Sequence, residues 1–332
     1  MLLALIYFGI YRYIFNALNF TLTLNALVSL MEMRKLQKTG NNTLIVSLPR
    51  WWITKNKLKK GDEVIIKNFE NDLLISKKEE KKKKVCELIY SSDINLMIRE
   101  IIAKYVQGFD LIIINNVPKI EKSIILEDKI KKILTGVEFS RDLERKKIII
   151  SIIVDESKIM LTELLKKSVL NVKAMLTLFP KKDQIEILEN EIDRITILAS
   201  RIINRISSGL IEKSGYFNLP ILKSVFDKLE SCADSIERIG KCKYESKEME
   251  IISEIMERLK MIIDLIPAAL IERDKEAAHQ IIISITEDLE KKILSVRKAQ
   301  KKDEKITLFL EHISRVKAEI KDIGELAIDM VL

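Results

Sequence analysis

Apolar residues recur every three or four positions through the second half of the chain, and this repeat constrains the fold more than any other feature. Such a stripe is typical of α-helices that bury one face. In residues 185–206 it consists of Ile185, Leu188, Ile192, Ile195, Leu198, Ile202 and Ile206. Breaks at Pro180, at residues 214–220 and around residues 241–246 separate six predicted helices. Their approximate ranges are 157–179, 183–208, 219–240, 247–272, 274–300 and 302–331. We therefore expect a mainly α fold in which two three-helix units meet near residue 245.

Composition agrees with a helical fold. The 332 residues include only 9 Gly and 5 Pro, too few for the turns of a large all-β protein or a Gly-rich dinucleotide-binding fold. Cys86, Cys232 and Cys242 show no C-x-x-C spacing, which argues against a disulfide framework and against a zinc finger. We therefore expect a reducing, cytoplasmic setting.

The positive charge of the chain is concentrated in one short segment. Residues 31–84 contain 15 basic and 7 acidic residues, and the difference of +8 equals the formal net charge of the whole protein. Such a concentration of charge favours nucleic acid as a partner. The alternative is a basic surface that only keeps the protein soluble.

Residues 1–30 are apolar and carry a single charge, Arg12. The stretch is long enough to cross a bilayer, but it lacks the basic start and the small-residue cleavage site of a signal peptide. Met31 and Met33 follow directly, where a well-patterned segment begins. We expect that residues 1–30 result from a start codon assigned too far upstream, with a membrane anchor as the alternative.

Residues 33–78 have the pattern of short strands and turns. The sequence predicts strands at Thr43–Pro49, at 63–67 and at 73–76, with one or two helical turns between the first two strands that end at Gly61. About 45 residues cannot close a β core alone, so we expect this segment to pair with a second copy.

Several side chains in this segment are suited to contact DNA. Basic side chains can neutralise phosphates, and asparagines at the tip of a turn can reach base edges. The candidate phosphate-binding residues are Arg34, Lys35, Lys38, Arg50, Lys55, Lys57, Lys59 and Lys60. The candidates for base contact are Asn41 and Asn42.

A charge run at residues 77–84 predicts a linker, and residues 85–155 are expected to be mixed α/β. A helical pattern ends at Gly108, and a second helix is expected near 124–134. The apolar runs at 111–116 and 146–154 predict buried strands.

Acidic residues on two of the predicted helices form candidate metal ligands. Glu189 and Asp193 are four residues apart, and Glu230 and Asp234 repeat that spacing on the next helix. The second pair is flanked on the same stripe by Asp227 and Glu237. Two antiparallel helices could bring these carboxylates together, and such a cluster requires multivalent cations. The alternative is a solvated face whose carboxylates pair with bases such as Arg194 and Arg238.

No pattern in the sequence indicates an enzyme. The two histidines, His279 and His312, lie in helical patterns without a metalloprotease-like context, and we expect them to be surface or capping residues. The nucleophile elbow, the phosphate-binding P-loop and the dinucleotide fingerprint are all absent from the sequence.

The segment Met33–Lys78 resembles the SpoVT/AbrB swapped-hairpin DNA-binding domain. The resemblance rests on the basic start, the T-G turn, "VSLP", the short helix, "L-x-x-GDEV" and the "LLI" strand. Downstream, "LENEIDRITILASRI" and "LESCADSIERIG" resemble helices of PhoU-type phosphate uptake regulators. The segments "IIAKYVQGFDLIII" and "GVEF" resemble the connector of archaeal members that fuse the two parts.

This resemblance, which covers residues 33–332, implies five segments. These are an apolar extension (1–30), an AbrB-like domain (31–78), a small α/β connector (85–155) and two PhoU-like three-helix bundles (156–245 and 246–332). It implies a homodimeric, DNA-binding regulator of phosphate uptake. The alternative function is an adaptor that docks on a phosphate transporter ATPase or a sensor kinase without binding DNA.

The resemblance also implies metal clusters held by E(D)-x-x-x-D motifs, with iron, zinc, manganese or magnesium as the candidate ions. Glu189/Asp193 and Glu230/Asp234 match these motifs in the first bundle. The second bundle departs from them, since Glu287 and Asp288 are out of register and Lys321 replaces the first carboxylate before Glu325. The arginine pair that follows the proline in AbrB-type proteins is replaced near Ile53 and Thr54, and we hypothesise that Arg50 and Lys55 compensate.

Overall fold

The computed structural model describes residues 32–40, 43–69, 72–77, 83–118, 120–211, 218–299 and 303–331. The chain divides into two compact units, residues 1–80 and residues 81–332. The expectations for residues 1–30 fall outside the described residues, as do those for Asn41 and Asn42. Within the described ranges, every helix is too short or too polar to cross a membrane.

The N-terminal unit consists of two hairpins and one short helix. Strand β1 (Gln37–Thr39) pairs antiparallel with β2 (Thr43–Ile45), and β3 (Val64–Phe69) pairs antiparallel with β4 (Asp72–Lys77). Helix α1 (Arg50–Lys55) lies between the hairpins in sequence and begins after Pro49. The predicted strand at Thr43–Pro49 is therefore shorter than expected, because its last residues lead into the helix.

The second unit begins with a four-stranded sheet. The elements are β5 (Val85–Ile89), α2 (Ile94–Val106), β6 (Leu111–Asn115), α3 (Ile120–Ile133), β7 (Val137–Asp142) and β8 (Lys147–Ile152). The strand order is β5-β6-β8-β7, with β5 parallel to β6 and the other pairs antiparallel. The sequence did not predict β5 and β7. Both are edge strands: Glu87 interrupts the apolar residues of the short strand β5, and β7 has polar residues on its exposed face, so neither presents a continuous apolar run.

The remainder of the unit is helical. The elements are α4 (Leu161–Leu178), α5 (Lys182–Ser207), α6 (Leu219–Gly240), α7 (Ser246–Ile263), α8 (Ile266–Ile271), α9 (Lys275–Ile283), a π-helical turn (Ser284–Leu289), α10 (Glu290–Ala299) and α11 (Glu304–Val331). The predicted helix at 247–272 is wrong in one respect, since it breaks into α7 and α8. Pro267, in the first turn of α8, lacks the N–H that a continuous helix needs.

Helices α4, α5 and α6 pack on one another, and α6 also packs along α11. The core they form is almost wholly aliphatic. Phe179, Tyr244 and Phe309 form an aromatic cluster with ring centroids 5.6–6.4 Å apart. The fold therefore holds α6 between the helices of the first bundle and the long C-terminal helix.

A buried polar network joins α5 to the C-terminal end of α2. Arg201 is fully buried, and its Nε donates to Glu156 Oε1 at 2.6 Å, while its Nη1 donates to the carbonyls of Tyr105 and Phe109 at 2.7 Å. Asn204 Nδ2 donates to the Val106 carbonyl at 2.9 Å. The Val106 carbonyl is one that the end of a helix otherwise leaves without a partner, whereas the Tyr105 carbonyl also accepts from the Gly108 N–H. We call this set of contacts, together with those of Arg205, the Arg201 network.

Arg205 completes the network at a glycine. Its Nη1 donates to the Gly108 carbonyl at 2.8 Å and to Asp110 Oδ1 at 2.6 Å. Gly108 has φ +81°, and a Cβ at this position would lie 2.7 Å from Arg205 Cγ. Both the backbone conformation and the close approach of Arg205 therefore require glycine here.

Candidate carboxylate site and candidate nucleic-acid interface

Helices α5 and α6 approach each other closely where the acidic stripes begin. Gly240, near the end of α6, lies against Ile185, near the start of α5, and a Cβ on Gly240 would lie 3.0 Å from Ile185 Cδ1. Buried residues such as Ile192 on α5 and Ile236 on α6 are part of the core at the same level. This packing fixes which side chains at the edge of the interface can meet.

The two helices bring together the carboxylates of Glu189, Asp193 and Asp234, which we call the carboxylate cluster. One oxygen from each residue lies within 4.8 Å of the others, and all three side chains are partly buried. Asp193 Oδ1 is buried and has no hydrogen-bond partner. A buried carboxylate oxygen without a donor is costly, so a ligand at this point would offset that cost.

Electrostatics separates the cluster from an ordinary acidic surface. Burial, followed by repulsion from Asp193 and the acidic residues of α6, raises the pKa of Glu189 to about 7. Burial and repulsion from Asp234 raise the pKa of Asp193 to about 6. Burial, together with repulsion from Asp234 and Asp193, raises the pKa of Glu230 to about 7. The ionised form of each carboxylate is therefore less stable when its neighbours are also ionised.

The six predicted ligands differ in their partners. Among the described residues, no basic side chain forms an ion pair with Glu189, Asp193 or Glu230. Asp234 accepts from Arg238 at 3.0 Å, which is the pairing expected if this residue belongs to a solvated face. Glu237 pairs with Lys241 at 2.6 Å, and Asp227 pairs with Lys223 at 2.7 Å. The structure therefore gives Asp227 and Glu237 basic partners on their own helix and leaves Glu189, Asp193 and Glu230 unpaired.

The donor set of the cluster suits a hard cation. A divalent ion holds carboxylate oxygens at about 2.1–2.4 Å, so two of its ligands lie up to roughly 4.8 Å apart. The spacing of the cluster falls within that limit. Carboxylate oxygens are ligands for magnesium, manganese and calcium, whereas zinc usually takes nitrogen and sulfur.

The corresponding acidic residues of the second half of the helical region have basic partners. Lys321 pairs with Glu325, and Asp288 pairs with Arg258. Lys228, from α6, reaches Glu319 at 3.0 Å and Asp322 at 2.6 Å. Glu287 lies exposed in the π-helical turn. These contacts give the carboxylates of α11 a different electrostatic environment from those of α5.

The basic residues of the N-terminal unit lie on an exposed surface. Lys38 lies in β1, with Arg34 and Lys35 just before it, while Arg50 and Lys55 begin and end α1. All five are exposed, and Arg34 pairs with Glu32. The loop between β1 and β2 starts at Gly40 with φ +64°. The described lysines, together with Arg50, are available to an external anion.

The N-terminal unit has no hydrophobic core among its described residues. Those whose side chains are described, which leaves out residues 67–69, are exposed or partly buried, and Leu36, Leu44, Ile66 and Leu73 are 60–67% exposed. A unit that leaves large aliphatic side chains in water is not stable by itself. Its apolar surface therefore needs a second surface to bury it.

The comparisons with known proteins bear on this unit. Residues 37–83 match the family described as antidote-toxin recognition MazE, bacterial antitoxin. No curated protein and no solved structure matches the chain. The match agrees with the predicted AbrB-like segment but does not extend into the helical region. Residues 37–83 are therefore similar to MazE/AbrB-like domains of the antitoxin type.

Proposed function

We propose that the protein is a homodimeric, DNA-binding regulator whose helical region binds a divalent cation and serves the control of phosphate uptake. The N-terminal unit carries the DNA-binding part of this proposal. It combines a match to MazE/AbrB-like domains, an exposed basic surface and exposed apolar side chains that a second copy would bury. Domains of this type typically bind DNA as dimers.

In this proposal the cation binds at the carboxylate cluster. Glu189, Asp193 and Asp234 supply oxygen ligands, and the buried Asp193 Oδ1 without a hydrogen-bond donor supports that assignment. The assignment to phosphate rests on the resemblance of the helical region to PhoU-type regulators. The proposed function includes docking of the helical region on a phosphate transporter ATPase or a sensor kinase. Deleting the gene is then expected to change the rate of phosphate uptake in the source organism.

DNA binding is tested by measuring affinity for double-stranded DNA at several salt concentrations. The logarithm of the binding constant is expected to fall linearly with the logarithm of the salt concentration, by about 0.9 for each phosphate contacted. Lys35→Ala with Lys38→Ala is expected to weaken binding and to reduce this slope. Lys132→Ala with Lys158→Ala is the matched control, because both lysines are well exposed, at 73% and 82%, in the second unit.

Two results would contradict the DNA-binding proposal. The first is the absence of binding at low salt, and the second is an equal slope for the two double variants. Either result with full phosphate-linked activity in cells would favour an adaptor that does not bind DNA.

A further inference from the structure

The two faces of the four-stranded sheet differ in how they are covered. On one face Ile112, Ile114, Ile148 and Ile150 are buried, with at most 1% of each side chain exposed. The core residues of α2 and α3, such as Ile101 and Leu126, belong to the same cluster. Arg141 on β7 donates to Ser123 on α3, which confirms that α3 lies on this face.

The opposite face, which we call the open face, carries five aliphatic side chains. Strand register places Glu87, Ile113, Ile149 and Ser140 in one row across it. Val85 is 47% exposed and Ile89 is 72% exposed. The remaining aliphatic residues, Leu111, Ile113 and Ile149, are partly buried. Among the described residues, none of the five belongs to the hydrophobic core.

The central strands have sequences suited to burial on both faces. Strand β6 reads LIIIN and strand β8 reads KIIISI, with little alternation between apolar and polar residues. Strands with one solvated face normally alternate, whereas strands covered on both faces are continuously apolar. An apolar face of this kind on a folded unit marks a contact surface.

We propose that the open face packs against the open face of a second copy of this chain. The inference rests on the proposed dimer of the N-terminal unit, because that dimer brings two sheets together. Residues 78–84 connect β4 to β5 and extend at most about 25 Å. Such a tether gives the two sheets an effective concentration in the millimolar range, so a weak interaction suffices.

The layout of the open face fits a symmetric interface. The charged residues Glu87, Glu138 and Asp142 lie on the two edge strands and Lys147 lies at the first position of β8, opposite Asp142. Leu111, Ile113 and Ile149 lie on the central strands, with Val85 and Ile89 beside them on β5. An apolar centre with a polar rim is the usual anatomy of a protein interface. Two such sheets would stack about 10 Å apart around a two-fold axis, with the same residues contributed by each copy.

The experiment compares the full chain with residues 83–332 by sedimentation equilibrium. Every buried residue of the described chain lies within that fragment, so it retains the whole hydrophobic core. We expect the fragment to form a dimer reversibly, with a Kd of about 1 mM or tighter. Ile113→Lys with Ile149→Lys is expected to raise that Kd at least tenfold. The variant is expected to fold, because the lysine stems can lie along the sheet with their charges in water. Circular dichroism checks that it does.

The matched control is Leu170→Lys with Ile187→Lys, which changes aliphatic residues that are 63% and 68% exposed on α4 and α5. This pair is expected to leave the Kd unchanged.

A fragment that stays monomeric above 1 mM while the full chain is a dimer would overturn the sheet contact and leave the N-terminal dimer intact. If the fragment forms a dimer but the full chain does not bind DNA, the DNA-binding function is overturned and the sheet contact stands. Equal effects of the two lysine pairs would also overturn the inference.

Discussion

The two ends of the helical region contain similar acidic stripes that face different neighbours. In the first bundle, Glu189 and Asp193 on α5 face Asp234 on α6, and burial followed by repulsion raises the pKa values of the α5 carboxylates. On α11, the carboxylates of Glu319 and Asp322 face Lys228 instead. Spacing along one helix therefore does not define a cation site. The charge on the facing helix decides whether the carboxylates need a cation or already have one.

Helix α6 takes part in both arrangements. Asp234 contributes an acid to the first site, and Lys228, less than two turns earlier, contributes a base to the second. The two side chains point toward different neighbouring helices because six residues in an α-helix rotate the direction by about 240°. One helix thus contributes an acid to the carboxylate cluster on one side and a base to the α11 carboxylates on another side.

The comparison is tested most strongly by cation affinity. Asp193→Asn with Asp234→Asn removes two of the three clustered carboxylates, and we expect manganese or magnesium affinity to fall at least 100-fold. Glu319→Gln with Asp322→Asn is the matched control and is expected to leave the affinity unchanged. Isothermal titration calorimetry on the full chain makes the measurement. Equal losses in the two variants would erase the distinction between the stripes.

A second test converts the α11 stripe into one without its base. Lys228→Met leaves Glu319 and Asp322 without their partner, and we expect the free energy of unfolding to fall by about 2 kcal/mol. Adding Glu319→Gln and Asp322→Asn to that variant is expected to restore most of the loss, since no unpaired charge remains. Urea denaturation measures both effects. A triple variant no more stable than Lys228→Met would show that the lysine acts through packing.

The smallest expected effect is the pH dependence of the cation-free protein. Unfolded carboxyl groups titrate near pH 4, whereas Glu189 and Glu230 titrate near pH 7 and Asp193 near pH 6. The folded protein therefore holds protons that the unfolded chain has lost, so stability falls as pH rises from about 4 to about 8.

Glu189→Gln is expected to reduce that fall by about 1 kcal/mol, a value that allows for the partial exposure of the carboxylate. Urea denaturation at pH 5 and pH 8 in the presence of a chelator measures the change. Glu319→Gln is the control and is expected to preserve the slope. A stability that rises with pH across this window would contradict the electrostatic account of the cluster.

The sequence predicted the elements with strong periodicity and missed those that depend on neighbours. The stripe on α5 was readable because its apolar residues recur at helical spacing, and Glu189 and Asp193 follow the same geometry. Edge strand β7 was missed because its polar face weakens the pattern, and β5 was missed because it is short and interrupted by Glu87. Spacing alone also did not show which acidic residues of α6 meet those of α5, since the rotation of α6 against α5 is a tertiary property.

The Arg201 network was also missed, although the sequence contains a signal for it. Arg201 interrupts the apolar sequence "LASRII" at a position where a solvated residue is not expected. A charge in a core stripe requires a buried partner, and the sequence does not say which carboxylate supplies it. Glu156 is 45 residues away in the chain, so only the folded structure identifies it.

The Arg201 network also determines how the protein can be divided. Cutting after residue 155 would separate the carbonyls of Tyr105 and Phe109 from Arg201, and the carbonyl of Val106 from Asn204. We therefore expect the sheet and the first bundle to unfold as one cooperative unit, although the sequence pattern changes between them. On α5 the two carboxylates of the cluster, Asp193 and Glu189, lie about 12 Å and about 18 Å along the helix axis from Arg201, so one helix carries both the cluster and the anchor of the sheet.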